Sequence, residues 1–356
     1  MVGPGPTNGI TDVMGVLVGQ YERKDAPYLT GATVLVFPDG AVAGVDVRGG
    51  APGTRHTDAL APWCLVEQVH GLVLAGGSAY GLDVASGVVR FLEEKGIGLV
   101  VGDGDKEVVP VVPAAILFDL GRGGAFRARP DAAFGYRAAL TASSGPVAQG
   151  NAGAGTGALA GGLKGGIGTA SVEFGNGTRV GAIVAVNARG STVHRRTGRL
   201  LGEEFALPGE FPDLREPVPA EVEKAVVAPT VEPRIGLHTT IAVVATTASL
   251  TKVEVGRMAA IAHDGLARAI RPVHTMFDGD TIFGVSTASH ALPIADGGVG
   301  RSRGRAIRAE ETNEIFVAAS DALTRAVVHA MVEAQSVGDF LAYRERFPSA
   351  FRGSIE

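Results

Sequence analysis

Short runs rich in valine, leucine, isoleucine and glycine recur along the chain and are separated by turn residues. Runs of this kind predict strands, and Pro38-Asp39-Gly40 between two of them predicts a hairpin turn. The predicted strands cover residues 13–19, 32–37, 41–47, 71–75, 98–101, 108–120, 180–187, 240–248 and 281–287. The pattern therefore favours a sheet built largely from hairpins.

Four other segments carry apolar residues at helical spacing. In the first of them Leu82, Ala85 and Val89 recur at intervals of three and four, and a glycine follows the segment as a stop signal. The predicted helices cover residues 78–95, 131–141, 252–270 and 306–335. Strands and helices alternate throughout, which favours a single α/β domain over residues 1–356.

Two segments have an unusual composition. Residues 151–169 consist mostly of glycine and alanine, with Lys164 as their lone charge. Such a stretch is either a flexible linker or a set of close-packed turns that threads a site, and the lone lysine favours the second interpretation. Residues 201–234 accumulate prolines and acids, which predicts a surface loop that interrupts the fold.

Composition narrows the class of protein. The chain has 356 residues, of which 46% are hydrophobic and 19% charged, and a net charge of -5, as expected for a soluble globular protein. Its basic residues are interspersed with acids, which argues against a nucleic-acid partner. No uninterrupted apolar stretch approaches the ~20 residues of a membrane helix, and we see no signal peptide, so a cytoplasmic protein is expected.

The side chains that bind metals are sparse. Cys64 is the single cysteine, which excludes an intrachain disulfide and any multi-cysteine metal site. The eight histidines are scattered, without the H-E-x-x-H spacing of a zinc site. We therefore expect neither a metal nor a cofactor.

Several glycine-rich motifs fall short of known catalytic templates. The segment "GGSAYG" resembles a nucleophile elbow, but Tyr80 stands where the second glycine belongs. Ser78 is better interpreted as the N-cap of the following helix. A phosphate-binding loop also fails, because Gly165 follows Lys164 where a serine or threonine is needed.

Thr239 stands at the junction between the proline-rich segment and an apolar strand, in "GLHTTIAVVAT". As an internal residue it is an ordinary β-branched strand residue. At a chain N-terminus, however, its hydroxyl gains the free α-amine as its own general base. Cleavage of the peptide bond between His238 and Thr239, by attack of the Thr239 hydroxyl on the His238 carbonyl, would create that terminus.

Seven motifs, spread over nearly the whole chain, resemble the L-aminopeptidase/D-esterase (DmpA-like) family, which includes β-peptidyl aminopeptidases and nylon-oligomer endo-hydrolases. The motifs are "NGITDV" from Asn8, "GVDVRGGAPGT" from Gly44, "LAGGSAYGL" from Leu74, "LKGGIGTAS" from Leu163, "VNARG" from Val186, "TTIAVVAT" from Thr239 and "AHDGLARAIRPVHTMFDGDTIF" from Ala262. The resemblance implies a four-layer αββα sandwich of the N-terminal-nucleophile type, as in the ornithine acetyltransferases. It also implies self-cleavage into residues 1–238 and 239–356, and a homo-oligomer, expected to be a tetramer of αβ units.

The resemblance further implies an active site. Thr239 is the nucleophile, Lys164 and Asn187 are its neighbours, and Asp278 and Asp280 of the D-G-D turn lie beside it. Asn187 then donates to the oxyanion, and Lys164, as a cation, disfavours protonation of the Thr239 amine. The two aspartates either orient the threonine or hold a substrate amine.

Two positions depart from the family pattern. His238 precedes the cleavage site where relatives usually have asparagine or glycine. Phe118 stands in "ILFDL", where some relatives have a tyrosine that donates to the oxyanion, so Tyr80 is the candidate for that role or for a substrate contact.

The expected activity is that of an aminopeptidase acting on a small peptide or amide through an acyl-enzyme on Thr239. An endo-hydrolase of 6-aminohexanoate (nylon) oligomers is the alternative within the class. An acyltransferase and an uncleaved small-molecule-binding relative are the alternatives from other classes.

Overall fold

The strands and helices of the computed structural model, which describes residues 3–104, 106–227, 238–292 and 301–351, follow most of the predicted segments. The strands are β1 (Leu17–Arg23), β2 (Thr30–Val47), β3 (Thr54–Arg55), β4 (Gln68–Ala75), β5 (Leu99–Val100), β6 (Val108–Val109), β7 (Ala114–Ile116), β8 (Leu159–Ala160), β9 (Leu163–Lys164), β10 (Gly166–Glu173), β11 (Arg179–Asn187), β12 (Thr239–Ala248) and β13 (Thr281–His290). The helices are α1 (Val84–Glu94), α2 (Ala132–Leu140), α3 (Pro219–Val227), α4 (Lys252–Ala269), α5 (Arg301–Glu333) and α6 (Tyr343–Arg346).

One mixed sheet runs through the described residues in the order β10-β11-β12-β13-β2-β4-β7-β3, with β1 paired to β2. The pairs β12–β13 and β4–β7 are parallel, and the other pairs are antiparallel. Strand β12, which follows the proposed cleavage site, therefore lies between a strand from before that site and one from after it.

Strand β2 joins the two halves of this sheet. Its first half pairs with β1, its second half pairs with β13, and both halves pair with β4 across a register shift between Val36 and Ala41. The predicted hairpin at Pro38-Asp39-Gly40 is therefore wrong. These residues form an irregularity within one 18-residue strand, because both flanking runs find the same partner strand.

Three apolar cores show that the sheet is folded into two layers. Leu35 and Phe37 face a core shared with Ile241 and Val243, whereas Val34 and Val36 face a core shared with α1 and α2. On the other outer side, alternate residues of β11 and β12 pack against α4 and α5. The order of layers is thus helices, sheet, sheet, helices, and the expected αββα sandwich is confirmed.

Several boundaries differ from the predictions for local reasons. Residues 10–12 form a 3-10 helix, so β1 begins only at Leu17. The predicted strand 108–120 is broken into β6 and β7, because Pro110 and Pro113 lack the N–H that a ladder needs. Ser78 is not an N-cap, since it has a φ of 53° and opens a 3-10 helix, while Asp83 precedes α1.

The glycine-rich segment is a set of close-packed turns, so the alternative of a flexible linker is wrong. It contains a 3-10 helix at Gly153–Gly155, the hairpin β8–β9 and the start of β10. A Cβ on Gly155 would lie 2.2 Å from the amide nitrogen of Ile167, and one on Gly165 would lie 2.0 Å from the carbonyl oxygen of Val186. Glycine is needed where backbones approach this closely.

The proline-rich segment is more structured than the predicted surface loop. It contains α3, and the buried side chain of Glu210 pairs with Arg325 of α5 at 2.7 Å and with His329 at 2.9 Å. Asn8 also donates to Glu210, at 2.8 Å. A buried carboxylate held by three donors anchors this segment to the sandwich. The part of the prediction that covers residues 228–234 lies outside the described residues.

Helix α5 is apolar over much of its length. By length and composition its portion Ile307–Glu333 is sufficient to cross a membrane, but 78% of its most apolar window is buried inside the fold. It packs against β10, β11 and α4. The described contacts are those of a core helix that is apolar nearly all round.

Helices α1 and α2 approach each other through glycine. A Cβ on Gly87 of α1 would lie 1.7 Å from the carbonyl oxygen of Ala132. We expect Gly87→Ala to lower the free energy of unfolding by about 1–3 kcal/mol, because the two helices must move apart. Urea denaturation measures this change.

Gly256, in the interior of α4, is the matched control, since nothing lies within 4 Å of its Cβ position. Gly256→Ala is expected to raise the free energy of unfolding by about 0.5–1 kcal/mol, because alanine loses less backbone entropy on folding. A change of the same sign in both variants would contradict the proposed contact.

Candidate active site

Thr239 is the first residue of β12 and lies directly opposite Asn187, the last residue of β11. Their side chains are 3% and 0% exposed. Residues directly opposite in an antiparallel pair project from the same face with their Cβ atoms about 4.5–5.5 Å apart. Two residues further along, Ile241 and Ala185 face the core between the sheets, so Thr239 and Asn187 lie at one end of that core.

The peptide before Thr239 is held in place by the D-G-D turn. The carbonyl oxygen of His238 accepts hydrogen bonds from the Gly279 N–H, at 3.2 Å, and from the Thr239 hydroxyl. The His238 N–H donates to the carbonyl of Phe277 at 3.0 Å. A Cβ on Gly279 would lie 2.8 Å from Thr239 Oγ1, so the middle residue of the turn must be glycine for this approach.

The imidazole of His238 is buried and uncharged at neutral pH. Burial, reinforced by the positive charge of Arg122, lowers its pKa to about 4, while Asp278 acts in the opposite direction. Both ring nitrogens are shielded from solvent and have no hydrogen-bond partner among the described residues. The residue before Thr239 therefore adds no positive charge to the site.

The two carboxylates of the turn hold main-chain groups. Asp280 accepts from the N–H of Thr240 at 2.7 Å and pairs with Nδ1 of His274 at 2.8 Å. Asp278 accepts from the N–H of Arg189 at 3.1 Å. Both are 1% exposed. Through these main-chain contacts they hold the start of β12 and the loop after β11.

Lys164 lies one hairpin away from Asn187. It pairs with Leu159 across β8–β9, and the Leu159 N–H donates to Asn187 Oδ1 at 3.0 Å. The Lys164 side chain is 0% exposed, and its Nζ donates to the carbonyls of Gly155, at 3.0 Å, and Gly165, at 2.6 Å. Burial, with a contribution from the charge of Arg122, lowers the pKa of Lys164 well below its usual range.

The amide of Asn187 has a defined orientation. Its Oδ1 accepts from Leu159 and from Arg122 Nη1, at 3.0 and 2.5 Å. Two donors on the oxygen assign the other end of the amide as the NH₂ group. That Nδ2 is buried and has no partner among the described residues. It is therefore available to an oxygen placed beside Thr239.

Arg122 and Asp119 belong to the same cluster, although no sequence motif indicates them. Burial lowers the pKa of Arg122 to about 10, against the opposing effect of Asp119. Asp119 accepts from Thr30 Oγ1 and the Gly77 N–H, both at 2.6 Å. Their one signal in the sequence is that two charges follow the buried strand β7, three and six residues after its end. The sequence analysis also did not single out His274 or the Gly279 N–H. A main-chain donor such as the Gly279 N–H cannot be recognised from residue type.

Tyr80 occupies a different environment. It is 49% exposed, and its ring lies 3.5 Å from the guanidinium carbon of Arg129 and 6.4 Å from the ring of Phe126. Within the described residues the structure joins Tyr80 to this pair and not to the cluster around Thr239.

Solved structures of the same fold include the L-aminopeptidase D-Ala-esterase/amidase of Ochrobactrum anthropi, whose description calls it a variant of the Ntn hydrolase fold. It superposes with a TM-score of 0.70 at 25% identity, covering 97% of this chain and 93% of that one. A β-aminopeptidase of Burkholderia sp. superposes with a TM-score of 0.69 at 23% identity, covering 100% and 96%. The expected fold of the N-terminal-nucleophile type is thus confirmed.

Sequence relatives point the same way. An uncharacterized aminopeptidase of Mycobacterium leprae is 45% identical in an alignment of 368 positions, which covers 98% of this chain and 97% of that protein. A 6-aminohexanoate-oligomer endohydrolase of Kocuria sp. is 34% identical over 305 residues, covering 83% and 78%. The sequence model of peptidase family S58 matches residues 8–342. The resemblance expected from the motifs is confirmed: the chain belongs to peptidase family S58.

Proposed function

We propose that this chain is a self-cleaving aminopeptidase whose nucleophile is the hydroxyl of Thr239. One observation carries the proposal. The Thr239 hydroxyl contacts the carbonyl of the preceding residue, within a buried peptide that the D-G-D turn holds from the other side. A nucleophile and its target carbonyl are thus already adjacent in the uncleaved chain.

Self-cleavage then proceeds by transfer of an acyl group from nitrogen to oxygen. The Thr239 Oγ attacks the carbonyl carbon of His238, the C–N bond breaks, and the nitrogen takes up a proton to become an amine. Water hydrolyses the resulting ester, which leaves a carboxylate on His238 and a free hydroxyl and amine on Thr239. The Gly279 N–H lies 3.2 Å from the oxygen that becomes negative. One such donor is typically worth about 2.7–4 kcal/mol in the transition state.

The uncleaved chain needs another base, because the Thr239 amine does not yet exist. Lys164 fits this role in its uncharged form. A neutral amine has two N–H donors, and Nζ has two carbonyl partners among the described residues, which leaves its lone pair free to accept a proton. Burial favours the same uncharged form. Lys164 thus serves as a base rather than as the cation expected from the resemblance.

In the cleaved enzyme the free amine of Thr239, with an ordinary pKa of about 7.7–8.0, takes the proton of the adjacent hydroxyl. The hydroxyl attacks a substrate amide, the amine component leaves, and water releases the acyl group. Asn187 Nδ2 donates to the oxyanion of each tetrahedral intermediate. The aminopeptidase names of the Mycobacterium leprae relative and of the Ochrobactrum structure support peptides with a free N-terminus as substrates.

Hydrolysis of 6-aminohexanoate oligomers is the second candidate. It is favoured by the 34% identity to the Kocuria endohydrolase over 83% of this chain. Both candidates use the same nucleophile and differ in the position of the scissile amide relative to the amine of the substrate.

The first prediction concerns maturation. Intact mass spectrometry of the purified protein is expected to give two fragments, residues 1–238 and 239–356, and Thr239→Ala is expected to give one uncleaved chain. Thr240→Ala is the matched control, because Thr240 is equally buried and its hydroxyl has no partner among the described residues. Cleavage that persists in Thr239→Ala, or fails in both variants alike, would remove Thr239 from the role of nucleophile.

A second prediction tests the protonation state of Lys164. Lys164→Arg and Lys164→Met are both expected to slow self-cleavage by about 10²–10⁴-fold, because arginine stays charged and the thioether of methionine is not basic. The rate is measured as the appearance of the 239–356 fragment during cell-free synthesis. Because protonation removes the lone pair, the wild-type rate is expected to fall as the pH drops through the lowered pKa of Lys164. Normal cleavage by Lys164→Arg would show that a permanent cation suffices.

A third prediction separates the two candidate activities. An aminopeptidase releases p-nitroaniline from an aminoacyl-p-nitroanilide, and N-acetylation of that substrate abolishes the reaction. An endo-hydrolase of nylon oligomers cleaves a 6-aminohexanoate oligomer even when its terminal amine is acetylated. We expect the first result, and efficient cleavage of the acetylated oligomer would assign the second activity.

A further inference from the structure

The structure contains a cavity of about 530 Å³ that lies beside, but does not include, the cluster around Thr239. Its walls come from the turn between β8 and β9, the loop after β11, helix α3 and the end of α6. Neither Thr239 nor any of Lys164, Asn187, Asp278 and Asp280 lines it. The cavity is therefore a separate candidate site.

The charges that line this cavity are all positive. Arg195, Arg196, Arg271 and Arg346 contribute to its walls together with His194, and no carboxylate does so among the described residues. The chain as a whole has 37 acidic and 32 basic residues, so its composition does not account for this clustering. None of the four guanidinium groups makes an ion pair with a described residue. Four positive charges around one cavity repel one another, and no described carboxylate offsets this repulsion by an ion pair.

The backbone holds two of these arginines in defined positions. Ser191 and Arg271 exchange N–H···O hydrogen bonds of 2.8 and 2.9 Å, which joins the loop after β11 to the end of α4. The carbonyl of His194 accepts from the N–H of Gly198 at 2.8 Å, and the N–H of His194 donates to the carbonyl of Arg199 at 2.8 Å. This turn carries Arg196 between its closing residues. The cationic wall is thus built on hydrogen-bonded main chain.

Other parts of the wall suit a small organic ligand. The turn Gly161-Gly162 has φ values of 55° and 84° and carries no side chain that would occupy the space. Leu201, Val222 and Phe347 provide apolar surface. Guanidinium groups bind phosphate and carboxylate oxygens through paired N–H donors.

We infer that this cavity binds a small molecule with two or more negative charges, carried by phosphate or carboxylate groups. The ligand spans several arginines, and its apolar part, where it has one, contacts the apolar wall. This binding is independent of the chemistry at Thr239 and is expected in cleaved and uncleaved protein alike.

Titration calorimetry with pyrophosphate and with citrate tests the inference and distinguishes phosphate from carboxylate ligands. We expect the wild-type protein to bind at least one of them with a submillimolar Kd at 50 mM salt. The double variant Arg195→Gln/Arg196→Gln is expected to weaken that binding at least tenfold. Both side chains are exposed, so the thermal midpoint is expected to stay close to that of the wild type.

The matched control removes two exposed arginines that lie outside the cavity. Arg127→Gln/Arg257→Gln lowers the net charge by the same amount, and binding is expected to stay within twofold of the wild type. An equal loss of affinity in both double variants would show that the ligand is attracted by overall charge and not bound in the cavity. No binding of either ligand by the wild type at 5 mM, or full binding by Arg195→Gln/Arg196→Gln, would overturn the inference.

Discussion

The pairing of β12 on both sides is the constraint on which the rest of the molecule depends. The antiparallel ladder to β11 begins at Thr239 itself, and the parallel ladder to β13 begins at Ile241. A chain cut before Thr239 would leave both ladders intact, so the new terminus keeps the position that the uncut peptide had. A nucleophile at a frayed chain end would lose this placement, since the first residues of most chains are poorly ordered unless a sheet holds them.

The same constraint explains why the D-G-D turn is built as it is. Asp280 fixes the N–H of Thr240, and Gly279 presents its own N–H to the carbonyl of His238. The parallel bridge between His238 and Asp278 continues the direction of the β12–β13 ladder past the start of the strand. The turn thus extends the sheet across the peptide bond between His238 and Thr239, and hydrogen bonds hold the chain on both sides of it.

The sequence was sufficient for the elements whose signals are local. Periodicity located α2 and α4, because each repeats apolar residues at helical spacing, and continuous apolar runs located β11 and β12, which are buried on both faces. The bend in β2 was not predictable, since the turn residues at 38–40 look the same in a hairpin and in an irregular strand. Only the partner β4, which is distant in sequence, decides between them.

The active site likewise has features that the sequence predicts and features that only the fold reveals. Motif resemblance predicted a site of five residues: Thr239, Lys164, Asn187, Asp278 and Asp280. The structure places Thr239 opposite Asn187, and it places the two aspartates in the turn beside the peptide between His238 and Thr239. The motif resemblance could not identify Arg122, which orients the amide of Asn187 from a loop 65 positions earlier in the chain. The motifs also could not predict whether Lys164 is charged, because the protonation state of a lysine depends on which groups surround it after folding.

Two lysines of this chain illustrate that dependence. The Nζ of Lys252 has three carbonyl partners, those of Ala59, Ala61 and Cys64, which match the three donors of an ammonium ion. The Nζ of Lys164 has two carbonyl partners among the described residues, which match the two donors of a neutral amine. A third acceptor beside Lys164 would stabilise the charged form and remove the lone pair. In the proposed mechanism, the number of carbonyls that the glycine-rich turns present to Lys164 therefore sets whether it is available as a base.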